Sequence, residues 1–331
     1  MNKWLRTGAP STLFLLLIYA LAINFFYLSH PIAPVISSSL VPKGAGLLYI
    51  PFIHWLQNSA GFTAQGFTIL AFVILFLEAI VLNAIVNRYN ILPGVSFFTA
   101  FCFLLFSSFF PSWHTISAQL ISGLFLLLFT HQLFKLFDNT APRATSFNLG
   151  LLAGIMGFFY QPALGLILLA WMGLYLARYF KLSEWLLVLL GLLCPWYFLS
   201  SFLFLTDQLS MLAQLQPPGL SIPTAQLETA VIIGLLTLIL YFLYGSIRLQ
   251  QEYSSLPIQN RKLWSLVLAF TVITILLPLL PAQFHINGWL PAFFPISILI
   301  ASGFYSTKRR WIGRLLHFLV LGLVIYIQWF Q

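Results

Sequence analysis

The stretch Phe67–Arg88, FTILAFVILFLEAIVLNAIVNR, constrains the fold of this chain more than any other segment. It is an apolar run long enough to cross a bilayer, since roughly 20 apolar residues in a helix span the hydrocarbon layer. One carboxylate, Glu78, stands near its middle. Similar runs fill most of the chain. Of its 331 residues only 6% are charged, against about 25% in a soluble domain. So little charge cannot cover a water-facing surface, and lipid is therefore the expected solvent over most of the molecule. In a soluble protein the net charge of +9 would point to nucleic acid. Here the positive-inside rule accounts for it, and no nucleic-acid partner is expected.

Hydropathy predicts an all-α polytopic transmembrane bundle of about eleven spans, at 11–29, 67–87, 93–110, 115–134, 146–160, 163–179, 184–203, 229–247, 263–281, 288–305 and 311–330. The chain reads as a single integral membrane domain over 1–331, with no soluble domain. With Lys3 and Arg6 inside, alternation of the spans places Arg88, Lys135, Arg143, Arg178, Lys181, Arg248, Arg261, Lys262, Lys308, Arg309, Arg310 and Arg314 on that same side, and Lys43 alone outside. This segregation predicts an N-in, C-out topology. Lys3 and Arg6 before an apolar run look like a signal peptide, but no small-residue cleavage site follows, so an uncleaved first helix is expected. The pair 146–160 and 163–179, broken by Tyr160-Gln161-Pro162, reads as a tight hairpin or as one bent span, and the cations at Arg178 and Lys181 favour the hairpin.

Two outward loops are long. In His30–Gly66 the apolar centre Leu47–Leu56 predicts a short helix in the headgroup layer, anchored by Tyr49 and Trp55. In Phe204–Glu228 the segment LTDQLSMLAQL carries Leu205, Leu209, Leu212 and Leu215 at helical spacing, which predicts a second interfacial helix.

The chemistry-bearing residues are few. Glu78, with Asn83 and Asn87 further along its span and His131 on the fourth, are polar groups inside the membrane. An ionisable residue there is a functional-site hypothesis by default; the plainer alternative is a carboxyl hydrogen-bonded to a neighbouring helix. At the outward face stand His30, His54, His114, Gln161, His285 and Asn287, with Asp207 and Glu228 in the second loop. Of these, His54, His114, Gln161, His285 and Asn287 are candidate substrate- or lipid-binding residues; a polar rim solvating helix ends explains each one singly. Lys308, Arg309, Arg310 and Arg314 form an inside anchor or a contact for anionic lipid. Cys102 and Cys194 read as buried small hydrophobes. No spacing suggests a metal, and no cofactor is expected. Gly150, Gly154 and Gly157 predict close helix packing. Pro278, Pro281, Pro291 and Pro295 are expected to end helices around the outward turn Gln283–Gly288.

The order of elements carries a resemblance. A first helix, a long outward loop, a second helix, the inside turn Asn87-Arg88-Tyr89-Asn90, a third helix ending in Phe109-Phe110-Pro111-Ser112-Trp113-His114, a fourth helix, a basic loop and the hairpin LLAGIMGFFYQPALGLILL follow one another. This layout, over residues 1–180, resembles the N-terminal module of the C-type membrane glycosyltransferases, which use polyprenyl-phosphate sugars; residues 181–331 would add C-terminal helices. In overall texture the chain also resembles multi-spanning inner-membrane proteins of Bacteroidota. The resemblance implies an acidic residue in the first outward loop, for metal binding or as catalytic base. His30–Gly66 contains neither Asp nor Glu. His54, Asp207 or Glu228 would have to substitute as the catalyst.

The expectation is therefore a bacterial inner-membrane protein on a glycosyltransferase-like scaffold. It would bind a lipid-linked intermediate, such as a polyprenyl-phosphate lipid, or a membrane-protein partner in envelope biogenesis, without catalysis. The alternatives are an active polyprenyl-phosphate-sugar glycosyltransferase and a transporter or flippase built on Glu78.

Overall fold

A computed structural model describes residues 5, 10–31, 44–138, 141–177, 180–215, 219, 229–281, 286–306 and 310–330. Thirteen α-helices occur among them: α1 (Pro10–Ile23), α2 (Phe25–Ser29), α3 (Tyr49–Asn58), α4 (Ala64–Arg88), α5 (Phe98–Ser107), α6 (Ala118–Lys135), α7 (Pro142–Phe159), α8 (Leu166–Ala177), α9 (Leu182–Leu205), α10 (Thr229–Tyr253), α11 (Ile258–Leu276), α12 (Leu290–Ser306) and α13 (Arg310–Phe330). No strand occurs among the described residues, only an isolated bridge between Ala45 and Tyr160. Each of the eleven expected spans contains a helix. Six helical segments are long and apolar enough to cross a membrane: Ala64–Arg88, Ala118–Asp138, Leu182–Leu205, Val231–Tyr253, Ile258–Leu279 and Ile286–Ser306.

The bundle has two chemically distinct ends. One collects Arg88 at the close of α4, Lys135 at the close of α6, Arg143 at the start of α7 and Arg261 and Lys262 at the start of α11. Contacts between chain-distant residues hold this basic end together. Asn260 donates its side-chain N–H to Asn90 O at 3.1 Å, and Phe97 N–H donates to Leu5 O at 2.8 Å. A shallow cleft opens there between Leu92, Glu252, Trp264 and Tyr305, and the Tyr305 hydroxyl closes one side on Pro93 O. The opposite end is called the rim.

Glycine decides two helix contacts. A Cβ at Gly150 would overlap the Val188 carbonyl, and one at Gly191 would overlap the Phe147 carbonyl. Helices α7 and α9 therefore meet backbone to backbone, and Gly154 extends the contact toward Leu192 and Pro195. Dispersion over such a close approach is what joins helices in lipid, where no hydrophobic force drives them together. Gly245 and Gly303 join α10 to α12 in the same way. The α7/α8 pair is a hairpin: Gly173 of α8 lies against Leu133 and Leu136, at the end of the bundle where α7 begins.

Four expectations are corrected. The span 93–110 holds only the ten-residue helix α5, every residue of which is buried. At about 1.5 Å per residue it rises roughly 15 Å, half a bilayer. Irregular backbone at membrane depth is tolerated only inside protein, and α4, α12, α1 and α13 enclose it. Tyr49 is no headgroup anchor: it is buried and donates its hydroxyl to Ile116 O at 3.1 Å, while Trp55 is 57% exposed. The leucine stripe of the second loop is split, because Leu205 ends α9, Asp207 turns left-handed at φ 54°, and Leu209–Gln214 is a separate 3-10 turn. Pro295 lies within α12 rather than ending it.

Candidate functional site

Short buried α5 exposes the problem that organises the polar residues. A helix leaves about four N–H and four C=O groups unpaired at its ends, and each is costly away from water. Helix α4 serves the first end. Asn83 Oδ1 accepts from Ala100 N–H at 3.4 Å, and one turn on, Asn87 exchanges two hydrogen bonds with the Ser96 backbone, at 3.0 and 3.1 Å. At the other end, the Tyr27 hydroxyl donates to Ser108 O at 3.0 Å. His114 Nε2 lies 3.3 Å from Ser107 O, and its ring stacks on Tyr27 with centroids 4.3 Å apart. Burial lowers the His114 pKa from 6.5 to about 4, partly opposed by the Ser107 bond, so the neutral ring is the resident form. His131 is likewise structural, its carbonyl and Nδ1 lying 3.2 and 3.4 Å from the Tyr89 hydroxyl. Four of the residues singled out above, Asn83, Asn87, His114 and His131, thus satisfy backbone or neighbouring side chains.

Glu78 does not. Its residue is 0% exposed, and neither carboxyl oxygen has a hydrogen-bond partner among the described residues. The hydrogen-bonded neighbour expected of a structural carboxyl is missing. The carboxyl occupies a notch that Gly123 of α6 leaves open: a Cβ there would overlap Oε1 and sit 3.0 Å from Cδ and 3.2 Å from Phe294 Cζ. Gly123 lies five residues into α6 and Phe294 four into α12, so by helix rise Glu78 is about 6–8 Å below the rim ends of those helices. Phe294 at the notch packs on Phe103 at 5.3 Å, and its chain neighbour Phe293 packs at 5.2 Å on Trp113, which in turn packs on Phe110 at 4.3 Å.

The rim is built from chain segments far apart in sequence. Residues Gly44–Leu48 pair with the break between α7 and α8: Gly46 N–H donates to Phe159 O at 2.6 Å, Leu48 N–H to Phe158 O at 2.9 Å, and Gln161 N–H to Gly44 O at 2.9 Å. Gly44 needs its positive φ of 86° for this, and Gly46 has no room for a Cβ against the Phe158 carbonyl. Gly219 N–H donates to Leu280 O at 2.8 Å, which ties the second long loop to the end of α11. Tyr160 is buried, its hydroxyl beside Gly288, and neither that hydroxyl nor the buried Asn287 Oδ1 has a hydrogen-bond partner among the described residues.

The structure brings Gln161, Asn287 and Tyr160 to this rim, and Tyr160 carried no signal in the sequence beyond the break it precedes. His54 is exposed on α3, and Asp207 is exposed at its turn beyond α9. Glu228, His285, Lys308 and Arg309 lie outside the described residues, Arg310 opens α13, and Arg314 is exposed on it. Among the described residues no three His, Cys, Asp or Glu side chains converge as a metal site would require. No family model, no curated protein and no solved structure matches this chain.

Proposed function

We propose that this is an eleven-crossing protein of a bacterial inner membrane, N-terminus inside and C-terminus outside, whose outward rim binds a lipid-linked intermediate of envelope biogenesis without transferring it. The cations gathered at one end of the bundle support the sidedness. The short α5 and α8 cross with the help of their flanking turns. The observation that carries the non-catalytic reading is the make-up of the rim. Where Gly44–Leu48, the α7/α8 break and Ile286–Trp289 meet, the described residues offer neutral hydrogen-bonding groups, Tyr160 and Asn287, and no carboxylate. A general base must come within about 3 Å of the proton it takes. Glu78 is fully buried, and Asp207 and His54 are exposed on separate elements.

Reconstitution in nanodiscs with a radiolabelled polyprenyl-phosphate sugar tests this. The expected result is retention of the lipid, seen by native mass spectrometry, weaker retention in Tyr160→Phe/Asn287→Ala, and no labelled product with added acceptors. Sugar transfer would establish an active glycosyltransferase instead, and wild-type protein that retains no lipid would remove the binding reading. A reporter fused at Pro218 is expected outside; a cytosolic signal overturns the sidedness.

A further inference from the structure

We propose that Glu78 is a proton-binding site coupled to opening of the rim: the carboxyl holds a proton in this closed arrangement and releases it to water admitted past Trp113. The proposal does not depend on which ligand the rim binds.

The argument starts from the two unpartnered oxygens in the Gly123 notch. An ionised carboxylate without a counter-charge or donors is among the costliest groups to bury. Among the described residues no counter-charge is in reach. Helix α4 packs on α2, α5, α6 and the 3-10 turn Pro111–His114, and Phe294 of α12 borders the notch. The titratable or charged groups on these elements are Tyr27 on α2, Cys102 on α5, His131 and Lys135 on α6, His114 in the turn, Tyr305 on α12 and Arg88 on α4 itself. Tyr27 and His114 are engaged at the end of α5, His131 with Tyr89, and Tyr305 with Pro93. Arg88 and Lys135 are about 15 and 18 Å further along their helices, by rise per residue. A proton on the carboxyl removes the charge that this site leaves uncompensated among the described residues.

Among the other unsatisfied polar atoms, two lie on neighbouring turns of the rim. Trp113 Nε1 and Asn287 Oδ1 are buried without hydrogen-bond partners among the described residues. The turn carrying Trp113 packs on Ile286–Trp289, and Trp113 itself on Phe293, next to Phe294 at the notch. Unpaired buried polar atoms mark places where water or a ligand enters. Separation of the Trp113 and Phe293 rings would let water reach Glu78. The carboxylic acid then ionises, its proton passing to that water, and reclosure requires the proton back.

Two measurements on the full-length protein in nanodiscs test this. Infrared difference spectra should show a carboxylic-acid C=O band that Glu78→Gln abolishes. Hydrogen exchange over 110–118, corrected for intrinsic rates, should rise severalfold from pH 6 to pH 9 in the wild type and stay flat in Glu78→Gln. If that variant fails to fold, dicyclohexylcarbodiimide, which attacks protonated carboxyls in lipid, should still label wild-type Glu78, more at pH 6 than at pH 9. Absence of the band and of the adduct overturns protonation. A pH-dependent exchange retained in Glu78→Gln, or a pH-independent one in the wild type, overturns the coupling.

Discussion

Helix α4 carries two kinds of inward polar residue, buried or half-buried, and the contrast between them is the most informative feature of the molecule. Near its basic end, Asn83 and Asn87 are matched to backbone groups of α5 and its approach loop. Little more than one turn away, Glu78 is matched to nothing among the described residues. The first kind stabilises a half-length helix deep in the bundle. The second has no such partner to offset the cost of its burial. Residues alike in hydropathy, on one helix, thus have opposite energetic meaning, decided by what faces them.

Four experiments sharpen or break this contrast, beginning with the largest effect. His114 belongs with the satisfied set as the neutral ring at the end of α5. Its folded pKa of about 4 lies below the ordinary 6.5, so the neutral form is favoured by folding. Its contribution is complete above pH 6.5, is lost as pH falls toward 4, and is level below. The loss amounts to on the order of 3 kcal/mol at about 1.4 kcal/mol per unit. Thermal unfolding in detergent across that range should show it, and His114→Phe should flatten that dependence. Asn87→Leu strands the Ser96 N–H and C=O and should cost about 1–3 kcal/mol in the same assay. Tyr27→Phe removes one hydrogen bond and keeps the stacked ring, for about 1 kcal/mol. Glu78→Leu, which removes an unpaired polar group, should change stability by less than about 1 kcal/mol or raise it. If it instead costs as much as Asn87→Leu, Glu78 has a structural partner and the contrast fails.

The sequence showed the helices and hid the centre. All eleven apolar segments are helical because the signal is local: each run satisfies its own backbone along its own length. The glycine face of α7 was legible for the same reason, since Gly150 and Gly154 repeat at helical spacing. Gly245 and Gly303, isolated in their helices, gave no such pattern, although they bring α10 and α12 just as close. The rim was legible only in part. Gln161 and Asn287 stood out as polar residues at helix ends, whereas Tyr160 looked like another aromatic among many.

The apolar runs alone thus determined the all-helical class of this protein and the positions of its helices. Those properties depend on residues a few places apart. Tertiary structure alone decided that α5 is a buried half-helix, that Asn83 and His114 are its fastenings, and that Glu78 is left without one. A hydrogen bond such as that from Tyr27 to Ser108 joins groups 81 residues apart, and no local pattern records whether such a partner arrives.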